Sequence, residues 1–304
     1  KMSKKKYTIA QILPALNTGG VERGVVEISG ALTKNDFRSI VISSGGHMES
    51  QLRRNGTVHY KVDVHTKNPF RWGKIRNQLK IILEKEKVDL LHLCSRAPAW
   101  IAFPLGSILN IPVITSVHMR FRKTNIFKKM YNSILTKGDA IIAISNHIDK
   151  SIKSSFPKVS YKINIIHRGV DLDLFNTNNI KPARIIAQSK VLNLRDNVPV
   201  IIMAARPAMW KGYIPLISAL SKVNKSFQCV LIGAGDGDEK FQKVLIDKII
   251  KLKLEAKVKL VKSTRDIQAS MILGDIIVMP SLTPEPFGRI VLEAQALGKI
   301  PIAF

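Results

Sequence analysis

The stretch YTIAQILPALNTGGVERG, residues 7–24, decides the fold. Residues 7–13 form an apolar run of strand length, Gly19 and Gly20 break it, and residues 20–34 carry an amphipathic helical pattern. This strand–turn–helix unit recurs along the chain. Apolar runs at 40–43, 88–93, 113–117, 140–144, 163–166, 200–204, 227–233, 258–261 and 275–279 alternate with helical patterns that include 70–87, 125–137, 183–194 and 238–252. Continuous apolar strands separated by helices predict buried parallel sheets in a doubly wound α/β architecture. Residues 167–179, with Arg168-Gly169-Val170-Asp171 and an Asn-rich 176–179, read as a linker. Two domains follow, 1–170 and 171–304, the second expected to be incomplete because the chain stops inside what should be another strand. Ligands of such sheets bind beyond the carboxyl ends of the strands, so two domains facing one another predict a cleft site.

The chain has 304 residues, enough for about two domains. Hydrophobic residues make up 45% and charged residues 23%, which excludes a disordered tail, a collagen-like chain and a coiled coil. Two cysteines, Cys94 and Cys229, exclude a disulfide scaffold and a cysteine-ligated zinc ribbon. Both sit in apolar stretches and read as small buried hydrophobes in a reducing compartment. Lys+Arg at 48 against Asp+Glu at 22 leaves a net charge of +26. Such an excess attracts polyanions: nucleic acid, an anionic membrane surface or phosphate-bearing substrates. The lysines are spread along the whole chain, so compositional drift without any single patch explains the charge equally well. No nucleic-acid reading helix, RNA-type aromatic sheet motif or zinc module is present, and no specific nucleic-acid partner is expected. Nor is a secretory leader: a basic start, residues 1–6, runs directly into the first strand. Residues 97–117 are uncharged over the length of a membrane span, but Pro104, Gly106, Asn110 and Pro112 punctuate them. Residues 110–112 read instead as a turn between a helix and the strand 113–117.

Four places could carry chemistry. Gly19 and Gly20 let backbone N–H groups at a helix start approach an anion such as a diphosphate, although Gly-Gly suits a tight turn as well. Arg206-Pro207-Ala208-Met209-Trp210-Lys211-Gly212 puts two cations in the loop after a strand, where they could neutralise a diphosphate leaving group or simply be solvated. In Glu285-Pro286-Phe287-Gly288-Arg289-Ile290-Val291-Leu292-Glu293, Pro286 suits the first turn of a helix. Helical rotation would then lean Glu285 and Glu293 toward one side, and the N–H groups near residues 287–289 would form an anion site. A capping carboxylate plus a surface glutamate accounts for the same spacing. His118 follows the strand 113–117 at its carboxyl end. Asp171-Leu172-Asp173 and Asp236-Gly237-Asp238 match a short metal-binding pattern, but lie in a linker and a Gly-rich turn, and no required metal or other cofactor is expected. No nucleophile elbow, Walker A loop, kinase set or zinc-protease helix is present.

Taken together and in order, these residues resemble glycosyltransferase family 4, the retaining nucleotide-sugar transferases of GT-B fold. Within it the chain is similar to bacterial lipopolysaccharide-core and cell-surface glycan transferases. The resemblance runs from about Tyr7 to the last residue. It rests on residues 13–24, Ser95-Arg96-Ala97-Pro98-Ala99-Trp100, Ile142-Ala143-Ile144-Ser145, His167-Arg168-Gly169-Val170-Asp171, Trp210-Lys211-Gly212 and the Glu285–Glu293 element. It implies an acceptor-side first domain and a second domain that binds a UDP- or GDP-sugar. It further implies that Gly19 and Gly20 border the donor diphosphate and that Arg206 and Lys211 stabilise its departing charge. Glu285 would hold the sugar hydroxyls, Glu293 the ribose, and the backbone around Phe287, Gly288 and Arg289 a phosphate. His118 would sit beside the reacting carbon, with Arg23 and Arg96 on the acceptor side. The chain departs from the pattern at Met119, where relatives have glycine, and at Cys94, where they often have arginine. It also lacks one cation between Arg206 and Lys211, and relatives continue beyond its last residue.

The expected function is transfer of a hexose from a nucleotide diphosphate sugar to a lipopolysaccharide-type or lipid-linked glycan. The alternative is a catalytically impaired remnant that binds the nucleotide sugar. The expected location is cytoplasmic, peripheral on the inner membrane face. Arg120, Arg122, Lys123, Lys128 and Lys129, interleaved with Phe121 and Phe127, could dock on anionic lipid there or be a solvated helix face.

Overall fold

The computed structural model describes residues 6–17, 19–66, 68–121 and 125–304. Thr18, Arg122 and Lys123, which belong to motifs quoted above, lie outside the described residues. The chain divides into two compact units, Lys1–Arg168 and Gly169–Phe304.

The first unit runs β1 (Thr8–Ile12), α1 (Gly20–Lys34), β2 (Arg38–Ser43), α2 (Glu49–Arg54), β3 (Val58–Lys61), α3 (Trp72–Lys85), β4 (Leu90–Leu93), α4 (Arg96–Leu109), β5 (Val113–Val117), α5 (Ile126–Ser133), β6 (Ala140–Ala143), α6 (Asn146–Ser155) and β7 (Ile163–Ile165). Its seven strands lie in the order β3-β2-β1-β4-β5-β6-β7, all parallel. The chain winds outward from β1 in one direction and from β4 in the other, so the crevice between β1 and β4 is the switch point where such sheets bind ligands.

The second unit runs α7 (Pro182–Val191), β8 (Val200–Ala204), α8 (Tyr213–Leu220), β9 (Gln228–Ile232), α9 (Glu239–Lys251), β10 (Val258–Val261), α10 (Ile267–Ile272), β11 (Ile276–Met279), α11 (Arg289–Ala296) and β12 (Ile300–Ala303). The order is β10-β9-β8-β11-β12, again all parallel, with the switch point between β8 and β11. The strands are apolar at consecutive positions because both faces are covered. Met203, Cys229 and Leu231 pack with residues of α8 and α9, such as Ile217 and Leu245. Their neighbours Ile202, Val230 and Ile232 face the opposite core, with Met271 and Ala294 of α10 and α11.

The opposite, amino-terminal edges of both sheets are closed by one repeated device. Asp89 accepts the Thr8 N–H, Asp139 the Val113 N–H and Asp275 the Val200 N–H, each at 2.8 Å. In every case the aspartate just before one strand satisfies the first donor of its neighbour, a group that would otherwise be lost to solvent or buried unpaired. Residue 275, included in the strand expected at 275–279, is such a cap.

The uncharged stretch 97–117 folds as expected. α4 ends at Asn110 in the left-handed region (φ 54°), and β5 follows. Among the described residues, no helix is long and apolar enough to cross a membrane. Cys94 and Cys229 are buried, and burial pushes both thiols up to about 12.

Candidate functional site

The switch point of the second sheet carries a tightly joined pair of loops. After β8 the chain makes a short 3-10 turn, Met209–Lys211, and enters α8 through Gly212 at φ 84°. A Cβ at Gly212 would lie 1.6 Å from the Pro280 carbonyl oxygen, so this loop sits directly on the backbone that leaves β11. The Leu282 N–H donates to the Trp210 carbonyl at 2.8 Å. Across this seam Lys211 Nζ donates to Glu285 Oε1 at 2.6 Å, and Ser281 Oγ donates to the same oxygen at 2.5 Å. Lys211 Nζ also lies 4.3 Å from the centre of the Trp210 ring. Both side chains are largely shielded, 16% and 12% exposed, so their charges act on one another through little water. Among the described residues no donor reaches Glu285 Oε2.

Arg206 does not join this cluster. Its side chain is exposed and has no ion-pair partner among the described residues. Glu285 and Glu293 do not share a helix, contrary to expectation. Pro286 is not in a first helical turn, because α11 begins only at Arg289, after Gly288 at φ 79°. Residues 285–288 are therefore loop, and their orientation is set by the contacts with Lys211 and Ser281 rather than by helical rotation. Glu293 is buried in α11 and accepts from Arg289 Nε one turn earlier, at 3.3 Å. Phe287 lies in the loop just before Gly288.

The two Asp-x-Asp patterns have backbone roles. Asp171 Oδ1 accepts the N–H groups of Asp173 and Leu174, both at 3.0 Å. Asp236 accepts the Ser263 N–H and Asp238 caps α9 through the Phe241 N–H, both at 2.8 Å.

In the first unit Gly19 is the extended cap residue of α1 and Gly20 its first, exposed residue. The side chain that organises this region is Arg168, quoted above as part of the linker and of the family motif at residues 167–171 but expected to carry no role of its own. Its Nη1 donates to the Gly20 carbonyl at 2.7 Å, and its Nη2 donates to His118 Nδ1 at 2.9 Å. The guanidinium lies against α1, where a Cβ on Gly24 would be 1.6 Å from Nη1. The available signal was a cation beside glycine immediately after the last strand of a parallel sheet. His118 Nε2 is buried and has no hydrogen-bond partner among the described residues. Arg96 is engaged with α5: its Nη1 donates to Asn132 Oδ1 at 2.7 Å, and its guanidinium lies 5.6 Å from the Tyr131 ring centre. Arg23 lies on α1, its N–H donating to the Gly19 carbonyl at 3.1 Å.

Burial, reinforced by the Arg168 charge and by His92, holds the His118 imidazole well below its ordinary range. His92, buried in β4 and hydrogen-bonded to Ser116 of β5, is pushed down to about 4 by burial and by Arg168. Both rings are neutral in the folded protein near neutral pH. Between pH 6.5 and about 4 the unfolded chain takes up a proton that His92 refuses, so stability falls as pH falls. His92 alone should weaken the first unit by about 2 kcal/mol between pH 7 and pH 5. Denaturant midpoints at the two pH values test this, with His92→Gln expected to flatten the dependence; equal midpoints in the parent would contradict it.

A profile described as Glycosyltransferase Family 4 matches residues 18–174, just over half of the chain. The chain belongs to Glycosyltransferase Family 4. A second profile, Glycosyl transferases group 1, matches residues 185–304. The crystal structure of a glycosyltransferase from Rickettsia africae ESF-5 superposes with a TM-score of 0.86 at 34% identity, covering 99% of this chain and 79% of that one. Anabaena Alr3699/HepE, solved in complex with UDP and glucose, shares the fold at a TM-score of 0.82 and 20% identity, over 98% of this chain and 80% of that one. Spore coat protein SA of Bacillus subtilis (strain 168) is 27% identical over 231 residues, 72% of this chain but only 60% of the relative. The family and its neighbours thus agree with the expected α/β fold of GT-B type, two parallel sheets in one glycosyltransferase chain.

Proposed function

We propose that this family member is a retaining glycosyltransferase that moves a hexose from a UDP- or GDP-sugar to a lipid-linked or lipopolysaccharide-type glycan. The observation that carries the reading is the Lys211–Glu285 pair at the switch point of the second sheet, a cation and a carboxylate held together with one carboxylate oxygen still open. The HepE complex with UDP and glucose supports the donor class.

In this reading Lys211, with the solvated Arg206, neutralises the charge that develops on the diphosphate as the C1–oxygen bond breaks. Glu285 Oε2 accepts sugar hydroxyls, which orients the ring, and Glu293 holds the ribose. The N–H groups of Gly288 and Arg289 at the start of α11, beside Phe287, face a phosphate. On the first unit, Gly19 and Gly20 offer N–H groups to an anion in the same way, and His118 offers a hydrogen bond to a hydroxyl. The acceptor hydroxyl attacks from the face the diphosphate leaves and gives its proton to the departing phosphate oxygen, so no protein nucleophile is required. Arg23 and Arg96 lie on the acceptor side. No step calls for a metal or other cofactor. The test is a screen of UDP- and GDP-sugars with membrane glycolipid as acceptor, reading the anomeric configuration of the product. Transfer with inversion overturns the retaining mechanism, and donor binding without any transfer overturns the enzyme in favour of a binding remnant.

We also infer that the protein is cytoplasmic and docks on the anionic inner face of the membrane through α5. Ile126, Phe127 and Met130 are 75%, 72% and 59% exposed on this helix, beside the exposed Lys128 and Lys129. Phe121, grouped with them in the sequence reading, is instead buried edge-on against Phe156, their ring centres 5.4 Å apart, and inserts into nothing. Each lysine near the surface contributes about 1 kcal/mol. Co-sedimentation with anionic vesicles at low salt, release at high salt and loss in Phe127→Glu are expected; equal binding to neutral vesicles would sink the idea.

A further inference from the structure

We propose that Arg168 is a positioning residue, which fixes His118 as the Nε2–H tautomer and thereby holds a buried, unshared N–H ready for an acceptor oxygen of the ligand. The role of the ligand rests on the transferase reading above; the tautomer does not.

A guanidinium has only N–H groups to offer and stays protonated. Its Nη2 is 2.9 Å from His118 Nδ1, so Nδ1 must present its lone pair. The single proton of the neutral ring is then on Nε2. A protonated ring would set two cationic N–H groups against one another, and the neutral form is the one this contact selects. Among the described residues Nε2–H is buried without a partner, and a buried donor left unpaired is unfavourable unless something accepts from it. A fold that holds such a donor in place through a second charged residue is built for an acceptor brought by the ligand.

Arg168 is itself held at its other end. Nη1 donates to the Gly20 carbonyl at 2.7 Å, in the first turn of α1. The guanidinium occupies the space that any side chain at residue 24 would take, since a Cβ there would be 1.6 Å from Nη1. One side chain thus couples the glycine turn after β1 to the imidazole after β5. Arg168 touches neither the ligand nor the reacting atoms in this scheme; it acts through His118.

The full-length chain labelled with 15N-histidine is examined at pH 7. The parent should show His118 with a protonated Nε2 and an unprotonated Nδ1. Arg168→Met should give a mixture of tautomers. Gly24→Ala should do the same, because it displaces the guanidinium while leaving it in the chain, and alanine is the better helix former. In the transfer assay both variants should lose about tenfold in kcat, the size expected for one misaligned hydrogen bond. The donor KM should change much less. In a His118→Ala background Arg168→Met should cost nothing further. A parent ring protonated on Nδ1, or an Arg168→Met loss undiminished when His118 is absent, overturns the proposal. The expected tautomers in a protein that transfers no sugar would uphold the positioning role and overturn the transferase reading.

Discussion

Lys211→Ala is expected to lower glycosyl transfer by about 10²–10³-fold, the effect of deleting one preorganised charge aimed at a developing anion. The amine is held by Glu285 at 2.6 Å over the Trp210 ring, so it is in place before any donor arrives. A cation that needs no reorganisation at the moment of bond breaking contributes more than a solvated one, which is why Lys211 should matter more than the exposed Arg206. Removing one partner of so shielded a pair also leaves a carboxylate uncompensated, at a cost to stability of about 3 kcal/mol. Activity and stability therefore have to be separated. The double variant Lys211→Met with Glu285→Gln removes both charges while keeping both shapes. It should recover most of the unfolding midpoint and none of the transfer. A Lys211→Ala enzyme within tenfold of the parent in kcat, or a double variant with near-parental transfer, would show that the pair is only a structural clasp.

The largest effect on stability is expected at Gly212. Two penalties meet there. Its φ of 84° is strained for any side chain, and a Cβ would press on the Pro280 backbone oxygen at 1.6 Å, an atom that cannot swing away. Gly212→Ala should destabilise the second unit by about 3 kcal/mol and lower its Tm by roughly 10 °C. Gly298→Ala is the matched control within the same unit. That residue is also left-handed, φ 67°, but nothing lies within 4 Å of the added carbon, so only the strain of about 1 kcal/mol remains. Equal losses in the two variants would mean that the close contact with Pro280 has no energetic weight. If the contact does set the seam, Gly212→Ala should also weaken donor binding, because Lys211 is the residue before it.

Particular elements show where sequence reading succeeds. α1 begins at Gly20 and ends at Lys34, the limits its amphipathic pattern indicates. The strands Val113–Val117, Val200–Ala204 and Val258–Val261 occupy the expected residues: the second is apolar throughout, and the other two begin and end on β-branched valines. β3 escaped notice. Val58-His59-Tyr60-Lys61 lies at the edge of its sheet, paired on one side only, and needs no such run. At Pro286 a local rule pointed to a helix start, whereas Gly288 in the left-handed region defers the helix to Arg289. Lys211 and Glu285 were legible as residues but not as a pair, and Arg168 was not legible as a functional residue at all.

Alternating apolar strands and amphipathic helices, with glycines and cations in the loops after strands, were enough by themselves to determine two parallel α/β units and the edges where charged loops gather. Burial is a local demand: each interior strand must be largely apolar on both faces wherever in the sheet it lies. Which charges meet was decided only by the tertiary structure. Lys211 and Glu285 are 74 residues apart, and Arg168 and Gly20 are 148 apart. Their meeting depends on the order of strands across the sheet, and interior strands in any order would bury the same apolar surface.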